Sequence, residues 1–77
     1  MYDDGGFDVS RALTERQHQI LLLICEGATD RQIAGRVAAS ERTVQREIAE
    51  IRTILDASSR TQIVAAAARN GLLPANH

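Results

Sequence analysis

One stretch of the chain has an apolar periodicity that an amphipathic helix satisfies and a strand does not. Its apolar residues are separated by four, three and four positions, at Val44, Ile48, Ile51 and Leu55. Residues at these spacings lie on one side of an α-helix, and Ser40 precedes them as an N-cap. No segment alternates β-branched and polar residues over the length of a strand. The sequence therefore predicts an all-α fold with a long helix at about residues 41–55.

Two capping boxes mark the starts of two earlier helices. Thr14 and Gln17 have the required spacing, and we expect a helix at about residues 15–26 to follow them. Thr29 and Gln32 repeat the pattern before a second helix of about two turns. The second and third helices are therefore joined by a short turn, which is the outline of a helix-turn-helix.

A fourth helix is predicted near the C-terminus, ended by Asn70 and Gly71. Its apolar stripe consists of Ile63, Val64, Ala67 and Ala68. The four helices form one small domain of residues 11–77. Residues 1–10 contain a glycine pair and three aspartates, and we expect them to be a flexible tail or a linker remnant outside the core.

The charge of the chain is unevenly distributed. The formal net charge is -1, but three of the ten acidic residues lie in the first ten positions. The remainder carries nine arginines and seven acidic residues, so the predicted domain is weakly basic. A nucleic-acid partner is therefore compatible with the composition, and so is a helix surface that is merely solvated.

The chain shows no sign of catalysis, metal binding or membrane insertion. Cys25 is the only cysteine, and it is expected to pack as a small apolar residue. His18 and His77 stand apart from other metal ligands, so we expect exposed histidines, no cofactor and no enzymatic activity. The longest apolar run, residues 20–25, is too short to cross a bilayer, and no signal segment opens the chain. We expect a cytoplasmic protein.

The outward side of the third helix has side chains suited to the major groove. With its apolar positions turned inward, the positions left facing out are Thr53 and four candidates for base contact, Arg42, Gln45, Arg46 and Ala49. Arginine can donate twice to guanine, glutamine can pair with adenine, and alanine can contact a thymine methyl group. We call these four residues the base-facing stripe and predict that they contact bases.

The starts of the second and third helices are candidate sites for the DNA backbone. Free N–H groups at helix N-termini bind phosphates, and polar or cationic side chains near them reinforce the contact. The candidate backbone ligands are Thr29, Arg31, Arg36 and Thr43.

The run from Leu13 to Leu73 resembles the LuxR-type DNA-binding domain of NarL-like response regulators, quorum-sensing receptors and small regulators similar to GerE. The resemblance is carried by LTERQ at 13–17, EGATDRQIA at 26–34, SERTVQ at 40–45, and SSRTQIVAAAARNGLL at 58–73, together with Ile51 and Leu55. It implies a transcription regulator, such as the effector domain of a response regulator, whose third helix reads bases. Thr43, Val44 and Gln45 take the places of the family's threonine, valine and lysine.

Four positions depart from the family pattern and make the surface less basic. Gln45 stands where the family has lysine, and Glu47 where it frequently has histidine. Ile54 replaces a second lysine, and Asp56 replaces a glycine. Glu47 is expected to repel a phosphate unless it accepts a hydrogen bond from a cytosine or pairs with an arginine.

The resemblance also implies a homodimer on double-stranded promoter DNA, with the fourth helix at the two-fold contact. The candidate interface residues are Val64, Ala67 and Ala68, with Ile63 and Ala67 equally able to serve the domain's own core. RNA polymerase is a further expected partner.

Two other hypotheses stay open at this point. One is the last region of a sigma factor, against which the apolar fourth helix argues. The other is a degenerate helix-turn-helix that binds a protein, which the four departures from the family pattern motivate.

Overall fold

A computed structural model describes residues 8–73 of the chain, and this range is helical and contains no strand. Its helices are α1 (Val9–Ala12), α2 (Glu15–Cys25), α3 (Asp30–Val37), α4 (Glu41–Leu55) and α5 (Arg60–Arg69). The all-α prediction is confirmed, with one short helix more than the sequence indicated. Within the described range, no helix has the length and apolar character needed to cross a membrane.

Both predicted capping boxes are present and fix the starts of α2 and α3. In α2 the Thr14 hydroxyl accepts from the Gln17 N–H, and the Gln17 side chain accepts from the Thr14 N–H, each at 3.0 Å. In α3 the corresponding distances between Thr29 and Gln32 are 3.1 and 2.9 Å. Each box satisfies two N–H groups that the first helical turn leaves without a partner.

Helix α1 corrects the predicted boundary of the tail. Asp8 caps it by accepting from the Ser10 N–H at 3.0 Å, and Val9 packs against the core. The His18 ring nitrogen Nε2 lies 2.9 Å from the Ser10 carbonyl oxygen, so this histidine is half-buried and not the exposed residue expected. A four-residue helix is too short to show an apolar period, which is why sequence patterning missed it. The rest of the predicted tail, residues 1–7, and His77 lie outside the described residues.

The core is formed where α2 and α4 pack against each other and against α3 and α5. All four periodic residues of α4 are buried, so the predicted orientation of this helix is confirmed. The largest fully buried side chains are Ile20, Leu21, Ile33, Val44, Ile51 and Ile63. Because they come from four helices, the core fixes α3 and α4 in one orientation relative to the rest of the domain.

Candidate nucleic-acid interface

Helices α3 and α4 form a helix-turn-helix, and the first residue of the turn between them has a strained backbone. Ala38 ends α3 in the left-handed conformation with φ 56°, which is unfavourable for a residue with a Cβ atom. The next residue, Ala39, donates its N–H to the Ala34 carbonyl at 3.0 Å. Ser40 then caps α4 by accepting from the Thr43 N–H at 3.0 Å. The turn is therefore closed by hydrogen bonds on both sides.

The base-facing stripe is exposed along its whole length. Each of its four residues is solvent-accessible, while Val44 and Ile48 between them and Ile51 just beyond them are buried. The structure therefore brings the four predicted base-contacting residues together on one free side of α4. The opposite side of α4 packs into the core, which keeps the four stripe residues at fixed positions relative to one another.

The predicted backbone ligands have more varied surroundings. Arg31 and Arg36 are exposed and border a shallow cleft beside the end of α2. Thr29 is exposed, but its hydroxyl already accepts from the Gln32 N–H. Thr43 is half-buried, and its hydroxyl lies 3.0 Å from the Ser40 hydroxyl, which donates to it. The two arginines are therefore freer to meet a phosphate than the two threonines are.

Glu47 does not project into the groove side of α4 as its place in the sequence suggested. Its side chain is 17% exposed and accepts a 2.9 Å hydrogen bond from Gln17 Nε2. Arg16 Nη1 lies 3.8 Å from its other carboxylate oxygen. The stated exception to phosphate repulsion therefore applies, because Glu47 pairs with an arginine and its charge is directed toward α2. The sequence pattern around Gln17, which makes this contact, indicates only a capping role.

Arg60 at the start of α5 makes a contact that the sequence analysis missed. Its guanidinium donates from Nη1 to Asp30 Oδ1 and from Nη2 to the Ala28 carbonyl, both at 2.7 Å. Asp30 is the first residue of α3, so α5 is tied to the start of the first helix of the motif. Residues thirty positions apart give no local signal, and only the folded chain shows the pair.

Helix α5 leaves fewer of its candidate interface residues accessible than predicted. Ala67 is fully buried in the core of the domain, together with Ile63 and Ala66, so its assignment to a dimer contact is corrected. Val64 is half-buried and Ala68 is exposed, so these two remain accessible to a partner. The ambiguity between core and interface is resolved in favour of the core for Ile63 and Ala67.

Two of the other three departures from the family pattern have structural roles in α4. Ile54 is partly buried against the core and does not form part of the base-facing stripe. Asp56 ends α4 in the left-handed conformation with φ 55°, the conformation that glycine adopts most easily. Gln45 is exposed within the stripe. Of the four replacements, only Gln45 therefore changes the chemistry of the stripe itself.

Cys25 and the remaining titratable groups form no chemical centre in residues 8–73. Burial raises the pKa of the Cys25 thiol, and the charge of Glu26 adds to this effect. The thiol is therefore kept in its protonated, less reactive form, in keeping with a packing role. No group of histidine, cysteine or acidic side chains in the described range could hold a metal ion.

Comparison with known proteins agrees with this geometry. Residues 11–67 match the family described as bacterial regulatory proteins, luxR family. The chain is 40% identical over 62 residues to the transcriptional regulatory protein LiaR of Bacillus subtilis (strain 168), covering 80% of this chain and 29% of LiaR. It is 36% identical over 61 residues to the HTH-type transcriptional regulator AlkS of Pseudomonas putida, covering 79% of this chain and 7% of AlkS.

The chain therefore belongs to the luxR family of bacterial regulatory proteins, and its helix-turn-helix lies within the matched residues. It spans less than a third of the length of either relative. The sigma-factor hypothesis is set aside, because α5 packs into the same core as α2 and α4 and the luxR match extends into it.

Proposed function

We propose that the domain binds specific promoter DNA with α4 in the major groove and thereby regulates transcription. The observation that carries this proposal is the base-facing stripe. Its four exposed residues have side chains that can contact base edges, and the opposite side of their helix is buried. A rigid helix presents its side chains at fixed spacing, as direct base contact requires. Arg42 and Arg46 pair with guanines, Gln45 with an adenine, and Ala49 with a thymine methyl group.

The DNA backbone is contacted from the starts of α3 and α4. Arg31 and Arg36 supply positive charge, and Thr29 and Thr43 lie where N–H groups of the first helical turns face outward. These contacts orient the domain without selecting a sequence. The Arg60 ion pair supports them, because it neutralises Asp30 next to Arg31 and Thr29.

On DNA the domain forms a homodimer through α5. Val64 and Ala68 are the available contact residues, and small side chains allow two such helices to approach closely. RNA polymerase is a further partner, since a regulator bound at a promoter lies beside it. Promoter binding by this dimer takes place in the cytoplasm and needs no cofactor, catalysis or membrane.

Base contact is tested by fluorescence anisotropy with the 77-residue chain. A duplex selected from a randomised pool is compared with a scrambled duplex at two salt concentrations. Arg46→Ala should cost about 1 to 3 kcal/mol on the selected duplex and reduce discrimination between the two. The matched control is Arg52→Ala, since Arg52 is exposed on the same helix but directed to the Ser58 carbonyl at 3.1 Å. Equal losses from both substitutions would contradict the proposed face of α4.

Backbone and dimer contacts need separate measurements. Arg36→Ala should weaken both duplexes alike and make the dependence of log Kd on log salt shallower by about one unit. Ala68→Glu should leave the helical circular dichroism unchanged but abolish cooperative binding to a duplex with two half-sites. Independent binding by the wild-type chain would refute the dimer.

A protein-binding helix-turn-helix is the competing function. The inward orientation of Glu47 removes one of its main motivations, because that charge does not oppose a phosphate. If the wild-type chain shows no salt-dependent binding to any duplex of the pool, the DNA proposal fails and the protein-binding function takes its place.

A further inference from the structure

Gln17 is the one buried polar side chain in the part of the chain that the structure describes, with 3% of its surface exposed. Its Oε1 accepts from the Thr14 N–H at 3.0 Å. Its Nε2 donates to Glu47 Oε1 and to Glu50 Oε1, each at 2.9 Å. A buried amide is costly unless it is hydrogen-bonded, and here both of its ends are satisfied. We call the contacts of Gln17 with Glu47 and Glu50 the α2–α4 bridge.

The bridge draws two negative charges to one amide on the flank of the recognition helix. Glu47 and Glu50 are three positions apart, so their carboxylates share one side of α4 and repel each other. Both accept from the same nitrogen, while Arg16 lies 3.8 Å from Glu47 alone. The amide is therefore the group that holds Glu50 against α2.

Glu50 matters for base contact because of its distance from Arg46 along α4. The two residues are four positions apart, a spacing at which an arginine and a glutamate pair on a helix surface. Within residues 8–73, however, the ion pairs are those of Arg11, Arg16 and Arg60, and Arg46 is not among them. Arg46 is exposed, while the Glu50 carboxylate accepts from Gln17.

We infer that Gln17 is a positioning residue for base recognition, which keeps Arg46 free by holding Glu50 and Glu47 against α2. This role rests on the proposed function, since it concerns an arginine that contacts DNA. Without the bridge, Glu50 would compete with guanine for the Arg46 guanidinium. Both released carboxylates would also lie nearer the phosphates, where like charges repel.

Gln17→Glu tests the role with little change in shape. A glutamate still accepts from the Thr14 N–H and keeps the capping box, but it cannot donate to Glu47 or Glu50 and it repels them. We expect about two- to sixfold weaker binding to the selected duplex near 0.1 M salt, from two carboxylates acting at about 8 Å with partial screening by salt. The loss should shrink as salt rises, because Glu50 is exposed and Glu47 becomes more so once released.

A compensating variant separates positioning from general damage. In Gln17→Glu combined with Glu47→Gln and Glu50→Gln, the two new amides donate to the new carboxylate and rebuild the bridge with reversed polarity. Affinity should return at least to the wild-type level. Glu47→Gln with Glu50→Gln alone should bind at least as tightly as wild type, since Gln17 can still donate to amide oxygens. Ala12→Glu adds the same charge at an exposed site of α1 and serves as the control.

All variants are compared at a temperature where circular dichroism shows each to be folded, on the selected and scrambled duplexes. Gln17→Glu should also reduce discrimination between the duplexes, which loss of stability alone would not do. Binding by Gln17→Glu equal to that of Ala12→Glu, or no recovery in the triple variant, would overturn the inference while leaving the proposed function intact. If the wild-type chain binds no duplex, the proposed function itself fails and this role with it.

Discussion

Replacing Arg60 with methionine should measure how strongly α5 holds the start of α3. The substitution keeps an unbranched side chain that can cover the same apolar surface but removes both 2.7 Å contacts, to Asp30 and to the Ala28 carbonyl. Asp30 is left without its cation, and the α2–α3 turn loses its tie to α5. The expected result is a less stable domain in which the α2–α3 turn and the start of α3 are held less firmly.

The magnitude follows from the exposure of the pair. The side chains of Arg60 and Asp30 are 41% and 31% exposed, so solvent screens their attraction and the ion pair contributes about 0.2 to 1 kcal/mol. The hydrogen bond to the Ala28 carbonyl adds about 0.5 to 1.5 kcal/mol. Arg60→Met should therefore lower the free energy of unfolding by about 0.7 to 2.5 kcal/mol. For a domain of this size, each kcal/mol corresponds to about 4 to 8 °C in Tm.

Urea denaturation followed by circular dichroism at low and high salt provides the assay. The ion-pair part of the loss should diminish in high salt, whereas the part due to the carbonyl hydrogen bond should persist. Arg69→Met, at the exposed far end of α5, is the matched control. A double-mutant cycle with Asp30→Asn isolates the pair from its surroundings. A change no greater than that of Arg69→Met, or zero coupling to Asp30, would refute this account of the contact.

Three further predictions concern the core, the turn and the first helix. Ile48→Ala should cost about 2 to 5 kcal/mol in urea denaturation, because Ile48 is only 8% exposed, and a neutral result would mean that α4 is rotated. Ala38→Gly should raise Tm, since relief of about 1 to 2 kcal/mol of left-handed strain exceeds the added flexibility of the unfolded chain, and a lower Tm would contradict the turn geometry. The pKa of Asp8 is held below its ordinary value of 3.8, chiefly by the hydrogen bond from the Ser10 hydroxyl. The cap is therefore fully formed above that value and is lost as the pH falls through the lowered pKa. The Ser10 amide should then lose protection from hydrogen exchange in acid. Unchanged protection would show that the cap is not needed.

The regular helices were predictable from sequence because their signals are local. The spacing of Val44, Ile48, Ile51 and Leu55 defined the buried side of α4, and with it the exposed stripe opposite. The capping boxes at Thr14 and Thr29 placed two helix starts. In each case successive residues of the pattern are at most four positions apart, so no knowledge of the folded chain was needed.

Contacts between distant residues could not be predicted in the same way. Gln17 looked like a capping residue, and nothing near it in the sequence indicated that its Nε2 would meet Glu47 and Glu50 thirty or more positions away. The orientation of Glu47 depends on how α2 packs against α4, which is a property of the whole core. The base-facing and backbone residues stay predictions, because their partner is DNA and only binding measurements can test them.

The side-chain caps at the helix starts also bear on how fast the domain forms. Every helix in residues 8–73 begins at a residue whose side chain accepts an N–H from its own first turn, at Asp8, Thr14, Thr29, Ser40 and Ser59. Such contacts close loops of only a few residues, so little chain entropy opposes them in the unfolded state. Helical domains dominated by local contacts fold in microseconds to milliseconds. After a transient opening, a domain of this kind therefore refolds much faster than a proline peptide bond isomerises.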